Sequence, residues 1–444
     1  MTHRSRARTG AFALAIALVA TGCGSSKSSS GGPTTTAAVP GTGGGGFAVK
    51  DGACPADAKT VLAAGAPIKL GVTLPKTGAL AAFGVLGDGM KVFFDKVYAE
   101  KGGVDGHKIE LIVKDDGYEP PRSVTNTQEL IEQQKVLGTV LDVGSPNVAG
   151  TRAAHETSCT PQLWVGTGLP NWGDPANHQW TTGGITAYNT EAKVWAELIA
   201  KEKPGAKVAQ LVFNNDFGKS YQKTFEAAAK AKGLTIVETR LHEATAPAIN
   251  NEVTALIAAT PDYVIGETTG AFCPKLMAGL AQGGYKGKTI ISATCASVKS
   301  FFAPVDPAGN GVLIVGAQKD PSDKQYDADP AMVTYKADVA KYGGGANPAD
   351  GSVLTGYNIA ALTVANLAQA AKAGGISRVS LMNAAWNTNT TLPLALGGKT
   401  IIDGNKDAYA AEYLAILKYD ATLKSQVLTT DVFDVEGKTG LFGA

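Results

Sequence analysis

Ile68-Lys69-Leu70-Gly71-Val72-Thr73-Leu74-Pro75-Lys76-Thr77-Gly78-Ala79-Leu80-Ala81-Ala82-Phe83-Gly84 is the stretch that decides the fold. An apolar run with β-branched residues stops at Pro75, and a small-residue turn follows. The next segment is helix-periodic, with Val85, Val92, Phe93 and Val97 on one stripe. Strand, loop and helix in that order build a parallel sheet. In such sheets ligands gather at the carboxyl ends of the strands, beside exposed helix N-termini. Residues 77–84 occupy that position.

The same unit recurs outward from this stretch. Strands are expected at 109–113, ending in Asp115-Asp116, at 138–143, before the loop Gly144-Ser145-Pro146-Asn147, and at 163–165, opening onto Gly166-Thr167-Gly168. Helices are expected at 123–134 and from the third loop to about 157. At 182–186 the rhythm restarts. A helix at 191–201 leads to a strand at 208–213 and the loop Asn214-Asn215-Asp216-Phe217-Gly218. A helix at 219–232, a strand at 235–239, a helix at 250–258 and a strand at 263–266 come next, then a helix ending near 281 and strands at 289–292 and 311–315. Helices at 330–342, 352–372 and 377–385 precede two late strands, 413–418 and 427–430, which suit a chain returning to complete earlier sheets.

At 444 residues the chain exceeds one typical core, so two lobes are expected. Hydrophobic content of 44% and a mean hydropathy of zero fit a packed body rather than disorder or a membrane bundle. The formal net charge of +1 gives no electrostatic reason to bind nucleic acid. Residues 1–10 carry Arg4, Arg6 and Arg8 and no acid, and the apolar run 11–20 is too short to span a bilayer. Together they read as a signal peptide over residues 1–22. The small pair before Cys23 resembles a bacterial lipobox, with Ala20 where leucine is usual, so Cys23 is the expected lipidation site. Residues 24–46 hold almost nothing apolar and read as a tether with a reach of roughly 25 Å. The expected tether and lead-in together span 23–65. Gly41, Gly43 and Gly46 match a dinucleotide fingerprint, but no strand precedes them.

Pro75, Gly78 and Phe83-Gly84, then Gly102-Gly103 and Gly106 before a strand ending in Asp115-Asp116, then Asn215-Asp216-Phe217-Gly218, form an ordered series. Over roughly residues 66–432 this series resembles type I periplasmic binding proteins, in particular the leucine/branched-chain amino-acid receptors of ABC importers. The resemblance implies an α/β fold of two Rossmann-like lobes with parallel sheets joined by a three-strand hinge. Crossovers are expected near 183–186, 318–327 and 405–412. One lobe then holds 66–184 plus 328–405, and the other 185–327 plus 410–432. It implies a monomeric receptor that closes on a small solute and presents it to an ABC permease, anchored to the outer face of the membrane by its lipid. No cofactor is implied.

The ligand residues that the resemblance suggests are Phe83, Ser145, Thr167, Gly168, Phe217, Glu267 and Thr294. Ser145 and Thr167 would hold the ligand's polar head; Phe83 and Phe217 would wall its side chain. Amino-acid receptors of this family usually place an acid after the strand that ends here near Ser292, but the chain has Ala293-Thr294-Cys295. Glu267, after the neighbouring strand, could replace it; otherwise an amide, an aromatic acid or another uncharged head fits better. Beyond Cys23, four cysteines in an exported chain favour disulfides. Cys273 and Cys295 follow neighbouring strands and are expected to pair, stabilising by about 3 kcal/mol; Cys54 and Cys159 then pair by elimination. No CxxC pair suggests zinc. His3, His107, His155, His178 and His242 show no metal or catalytic spacing, and no GxSxG elbow occurs. The alternatives are a surface sensor without transport and a hydrolase on the same scaffold.

Overall fold

The computed structural model describes residues 46–439. Strands β1 (Ile68–Leu74), β2 (Ile109–Asp115), β3 (Gly138–Val140), β4 (Gln162–Val165) and β5 (Thr181–Gly183) form a parallel sheet in the order β2-β1-β3-β4-β5. All of β1 except Lys69 is buried, as a strand covered on both faces requires. Helices α1 (Leu86–Lys101), α2 (Pro120–Gln128) and α3 (Ser145–Ser158) make the crossovers.

A second sheet is built from β6 (Lys207–Phe213), β7 (Thr235–His242), β8 (Tyr263–Glu267), β9 (Lys288–Ile291) and β10 (Leu313–Gly316). Its helices are α4 (Tyr188–Glu202), α5 (Asp216–Ala231), α6 (Asn250–Ala258) and α7 (Phe272–Gln282). In each sheet the first strand lies inside, β1 between β2 and β3, β6 between β7 and β8. The connections therefore leave in opposite directions from β1 and from β6. That reversal opens a crevice at the strand ends.

After β10 the chain forms α8 (Pro330–Tyr342), α9 (Gly351–Lys372) and α10 (Arg378–Trp386), then a hairpin of β11 (Asn389–Thr391) and β12 (Lys399–Ile401). Helices α8 and α9 pack on α1, so this late block covers the first sheet's side of the molecule. The α1–α9 crossing is backbone to backbone. A Cβ on Gly89 would lie 2.0 Å from the Val353 carbonyl oxygen, and one on Gly356 2.0 Å from that of Leu86. Strands β13 (Tyr413–Asp420) and β14 (Ser425–Leu428) return to the second sheet, and β15 (Phe433–Asp434) pairs with the start of β13.

Several boundaries differ from the sequence reading. Both late strands are antiparallel to their neighbours, so the second sheet is parallel only from β10 to β7. The strand expected over 138–143 stops at Val140 because Leu141 takes a left-handed backbone, φ +64°, which breaks the ladder. The β11–β12 hairpin was not expected; its residues carry no strong alternation.

Residues 46–65, expected to continue the tether, pack on the body. The Phe47 ring lies 5.6 Å from that of Trp386, and its N–H donates to Asn387 Oδ1 at 2.9 Å. Cys54 is bonded to Cys159 and Cys273 to Cys295, the expected pairs. The signal segment 1–22, Cys23 and tether residues 24–45 lie outside the described residues. Among the described residues, no helix is long and apolar enough to cross a membrane.

Candidate functional site

The strand-tip loops of the two sheets meet around a cavity of ≈ 220 Å³. From the first sheet come Leu80 and Phe83 after β1, Tyr118 after β2, and Gly144 after β3; from the second come Tyr188 and Glu191 of α4, Phe217 and Tyr221 of α5, and Thr294 after β9. Segments 184–186, 316–321 and 410–413 also line it. The opposing loops touch: the Ala271 N–H donates to the Ala79 carbonyl at 2.9 Å, and Asn215 Nδ2 to the Tyr118 hydroxyl at 3.3 Å. An apolar cavity of 150 Å³ can hold benzene, so this one has room for a ring-sized body with a polar head.

One wall is aromatic for a helical reason. Tyr188, Glu191 and Trp195 stand at i, i+3 and i+7 on α4, and Phe217, Tyr221 and Phe225 at i, i+4 and i+8 on α5, so each set shares a face. The faces interleave: Tyr188 stacks on Tyr221 at 4.5 Å and Tyr221 on Trp195 at 4.9 Å, while Phe217 meets Tyr188 edge-on at 4.9 Å. Each such pair contributes about 0.5–1.5 kcal/mol beyond burial. The stack is therefore a rigid wall.

Glu191 is the acid set into the aromatic wall, while Asp320 and Glu412 line the cavity elsewhere. Glu191 is 1% exposed, accepts from the Tyr221 hydroxyl at 2.5 Å and from the Ala293 N–H at 2.8 Å, and has no basic partner among these contacts. Burial pushes its carboxyl up to about 8, against the pull of the two hydrogen bonds. An acid thus reaches the end of β9, where the sequence shows none, but it arrives from α4. Its signal was legible as the polar member of an otherwise apolar helix face, beside Tyr188 and Trp195.

The residues singled out from sequence fall into two groups. Phe83, Phe217 and Thr294 line the cavity; the Phe83 ring lies 5.7 Å from that of Phe301, and the Thr294 hydroxyl bonds Thr269 at 2.9 Å. Ser145, Thr167 and Gly168 lie one layer behind. The Ser145 and Thr167 hydroxyls bond each other at 2.7 Å and both contact the Tyr188 phenol, which caps them from the cavity side. Gly168 is the seat of that ring: a Cβ there would lie 2.6 Å from a Tyr188 ring carbon. Glu267 is off the cavity wall. It is fully buried on β8, neither of its oxygens has a hydrogen-bond partner among the described residues, and burial with nearby Glu226 drives its carboxyl far upward.

Residues 67–422 match the sequence model of the family described as Periplasmic binding protein. The chain belongs to this family. Among curated members, Leu/Ile/Val-binding protein homolog 7 of Brucella suis biovar 1 (strain 1330) is 24% identical over 242 residues, which cover 52% of this chain and 59% of the relative. The chain thus spans a little over half the length of that relative. Two solved structures share the fold. A branched chain amino acid ABC transporter protein from Thermus thermophilus, with bound valine, aligns with a TM-score of 0.74 and 20% identity, covering 84% of this chain and 97% of that one. A fatty acid ABC transporter substrate-binding protein from Thermomonospora curvata aligns at 0.71 and 24%, covering 84% and 93%. Both likenesses show the fold of this chain.

Proposed function

We propose that the protein is an extracytoplasmic solute receptor of an ABC importer, lipid-anchored at Cys23. It binds a branched-chain amino acid or a related small amide or carboxylate. The lobes are 66–184 with 328–405 and 185–327 with 410–432, and they close on the solute. The observation that carries this reading is the cavity walled by strand-tip loops of both sheets, since a ligand touching both sides favours the closed state. Phe83 and Phe217 wall the apolar body. Glu191, Thr294 and Tyr188 receive the polar head.

The hydrolase alternative finds no support. The Ser145 hydroxyl is tied to Thr167 beneath Tyr188, and His155 is bonded to the Thr160 carbonyl at 2.9 Å. No base reaches that serine among these contacts, as nucleophilic catalysis would require.

Thermal-shift and calorimetric titration of the purified protein with amino acids, their amides and small aromatic and aliphatic acids tests the reading. A stabilising solute is expected, with Phe217→Ala weakening it. Absence of stabilisation across the whole panel would remove the receptor assignment. A ligand that co-purifies, identified by mass spectrometry, would name the solute directly.

A further inference from the structure

Away from the aromatic wall, three carboxylates converge where the last crossing segment meets the C-terminal one. Asp407 and Glu412 belong to the stretch leading into β13, and Glu436 follows β15. One oxygen of each lies within 4.8 Å of the others. Asp407 is 6% exposed and Glu412 2%, whereas Glu436 is half-buried. Lys406 pairs with Asp403 at 3.6 Å and Lys438 donates to the Asp434 carbonyl, while the exposed Lys399, set over the Tyr413 ring, is the lysine whose charge reaches Glu436.

The backbone holds this cluster in place. The Gly437 N–H donates to Asp407 Oδ2 at 2.6 Å and to Glu412 Oε2 at 3.1 Å, and the Tyr409 N–H donates to Asp407 Oδ1 at 3.2 Å. A second observation is separate from the clustering. Glu412 Oε1 is out of reach of solvent and has no hydrogen-bond partner within ordinary geometry among the described residues, although the Glu412 carboxyl also interacts with the side chains of Thr439 and Asp407. A buried carboxylate oxygen without a donor costs several kcal/mol unless a cation or proton faces it.

We propose that Asp407, Glu412 and Glu436 bind one divalent cation, which pins the C-terminal segment to the segment entering β13. An all-oxygen, all-carboxylate set suits a hard cation. Calcium accepts six to eight oxygens in flexible geometry, so three carboxylates supply part of the shell and water the rest. Magnesium demands near-octahedral geometry and keeps its water more firmly. Calcium is the expected occupant. Glu412 also lines the solute cavity, so the site borders it, but the test uses no solute and its outcome is independent of the solute reading.

The test is calorimetric titration of the full chain with CaCl2 after treatment with EGTA, alongside thermal unfolding. One calcium per chain is expected, with Kd within the about 10⁻⁵–10⁻³ M range of sensor and extracellular sites. Calcium should raise the unfolding midpoint and slow amide exchange over residues 433–439. Glu436→Gln, at the half-buried position, and Asp407→Asn should each weaken calcium at least about tenfold, the loss typical when a metal's ordering contacts are removed. Glu436→Gln must retain the cooperative unfolding of the parent, which separates lost ligation from lost folding. No binding heat and no midpoint shift with calcium, magnesium or manganese at about 5 mM, several times the weakest of those constants, would overturn the proposal and leave a proton-sharing cluster. An equal shift in parent and Glu436→Gln would overturn it as well.

Discussion

Glu191→Gln offers the sharpest test of the cavity's chemistry. The ordinary glutamate value is 4.5, and in the folded chain Glu191 is raised to about 8 by burial. Between those values the folded state binds a proton that the unfolded chain has released. Stability is therefore greatest below about pH 4.5, as far as this group is concerned, and falls as pH rises to about 8. At 1.36 kcal/mol per unit, a gap of three to four units amounts to roughly 4–5 kcal/mol across the window, of which about 3 kcal/mol is already lost at pH 7. Urea unfolding of the ligand-free protein from pH 5 to 9 should show that decline. Glu191→Gln should flatten it while keeping an acceptor for Tyr221 or Ala293. In solute binding the variant separates two ligand classes. A ligand with an ammonium head should draw Glu191 into its charged form, tighten as pH rises from 6 to 8, and lose about 10- to 150-fold in affinity, the worth of a hydrogen bond to a charged group. An uncharged or anionic head should lose much less. Identical stability–pH curves for parent and variant would refute the buried-acid argument.

Gly89→Ala should destabilise by about 1–3 kcal/mol in urea unfolding, because its Cβ would collide with the Val353 carbonyl and force α1 from α9; an unchanged midpoint would mean the helices do not cross that closely. Removing the Cys54–Cys159 bridge, with a sequence separation of 105, should cost about 4–5 kcal/mol; removing Cys273–Cys295, with a separation of 22, about 3 kcal/mol. Double Cys→Ser variants compared by denaturation check that order. Tyr188→Phe should lower stability by about 1 kcal/mol, the net worth of a buried hydrogen bond. The ring stays in place, so the solute panel run on this variant should show weaker binding only of ligands whose polar head bonds the Tyr188 hydroxyl.

The elements were legible because their signals are local. The period of Val85, Val92 and Val97 and the stop at Pro75 need no distant partner to be read. The helix 330–342 follows from its own pattern and the Asp329 cap, whose carboxylate accepts from Ala331 and Met332. The cysteine pairs were legible because two adjacent strand ends left few ways to pair four thiols. Phe83 and Phe217 were legible as cavity liners because each precedes a glycine shortly after the first strand of its sheet.

What stayed hidden depends on contacts between segments far apart in the chain. Whether a late strand joins the sheet parallel or antiparallel is set by the return path, and nothing within residues 413–420 records it. Ser145 and Thr167 carry the composition of a ligand-holding pair, but 21 to 43 residues downstream the chain supplies Tyr188, and the packing of α4 over those loops decides that the phenol meets the cavity. Glu191 shows the same dependence most plainly. Its sequence context fixes a helix face, while its role follows from the meeting of that face with Tyr221 and the end of β9, 102 residues later. Periodicity is written in neighbours along the chain; the field around a carboxyl is made by neighbours in space, and only the folded arrangement supplies those.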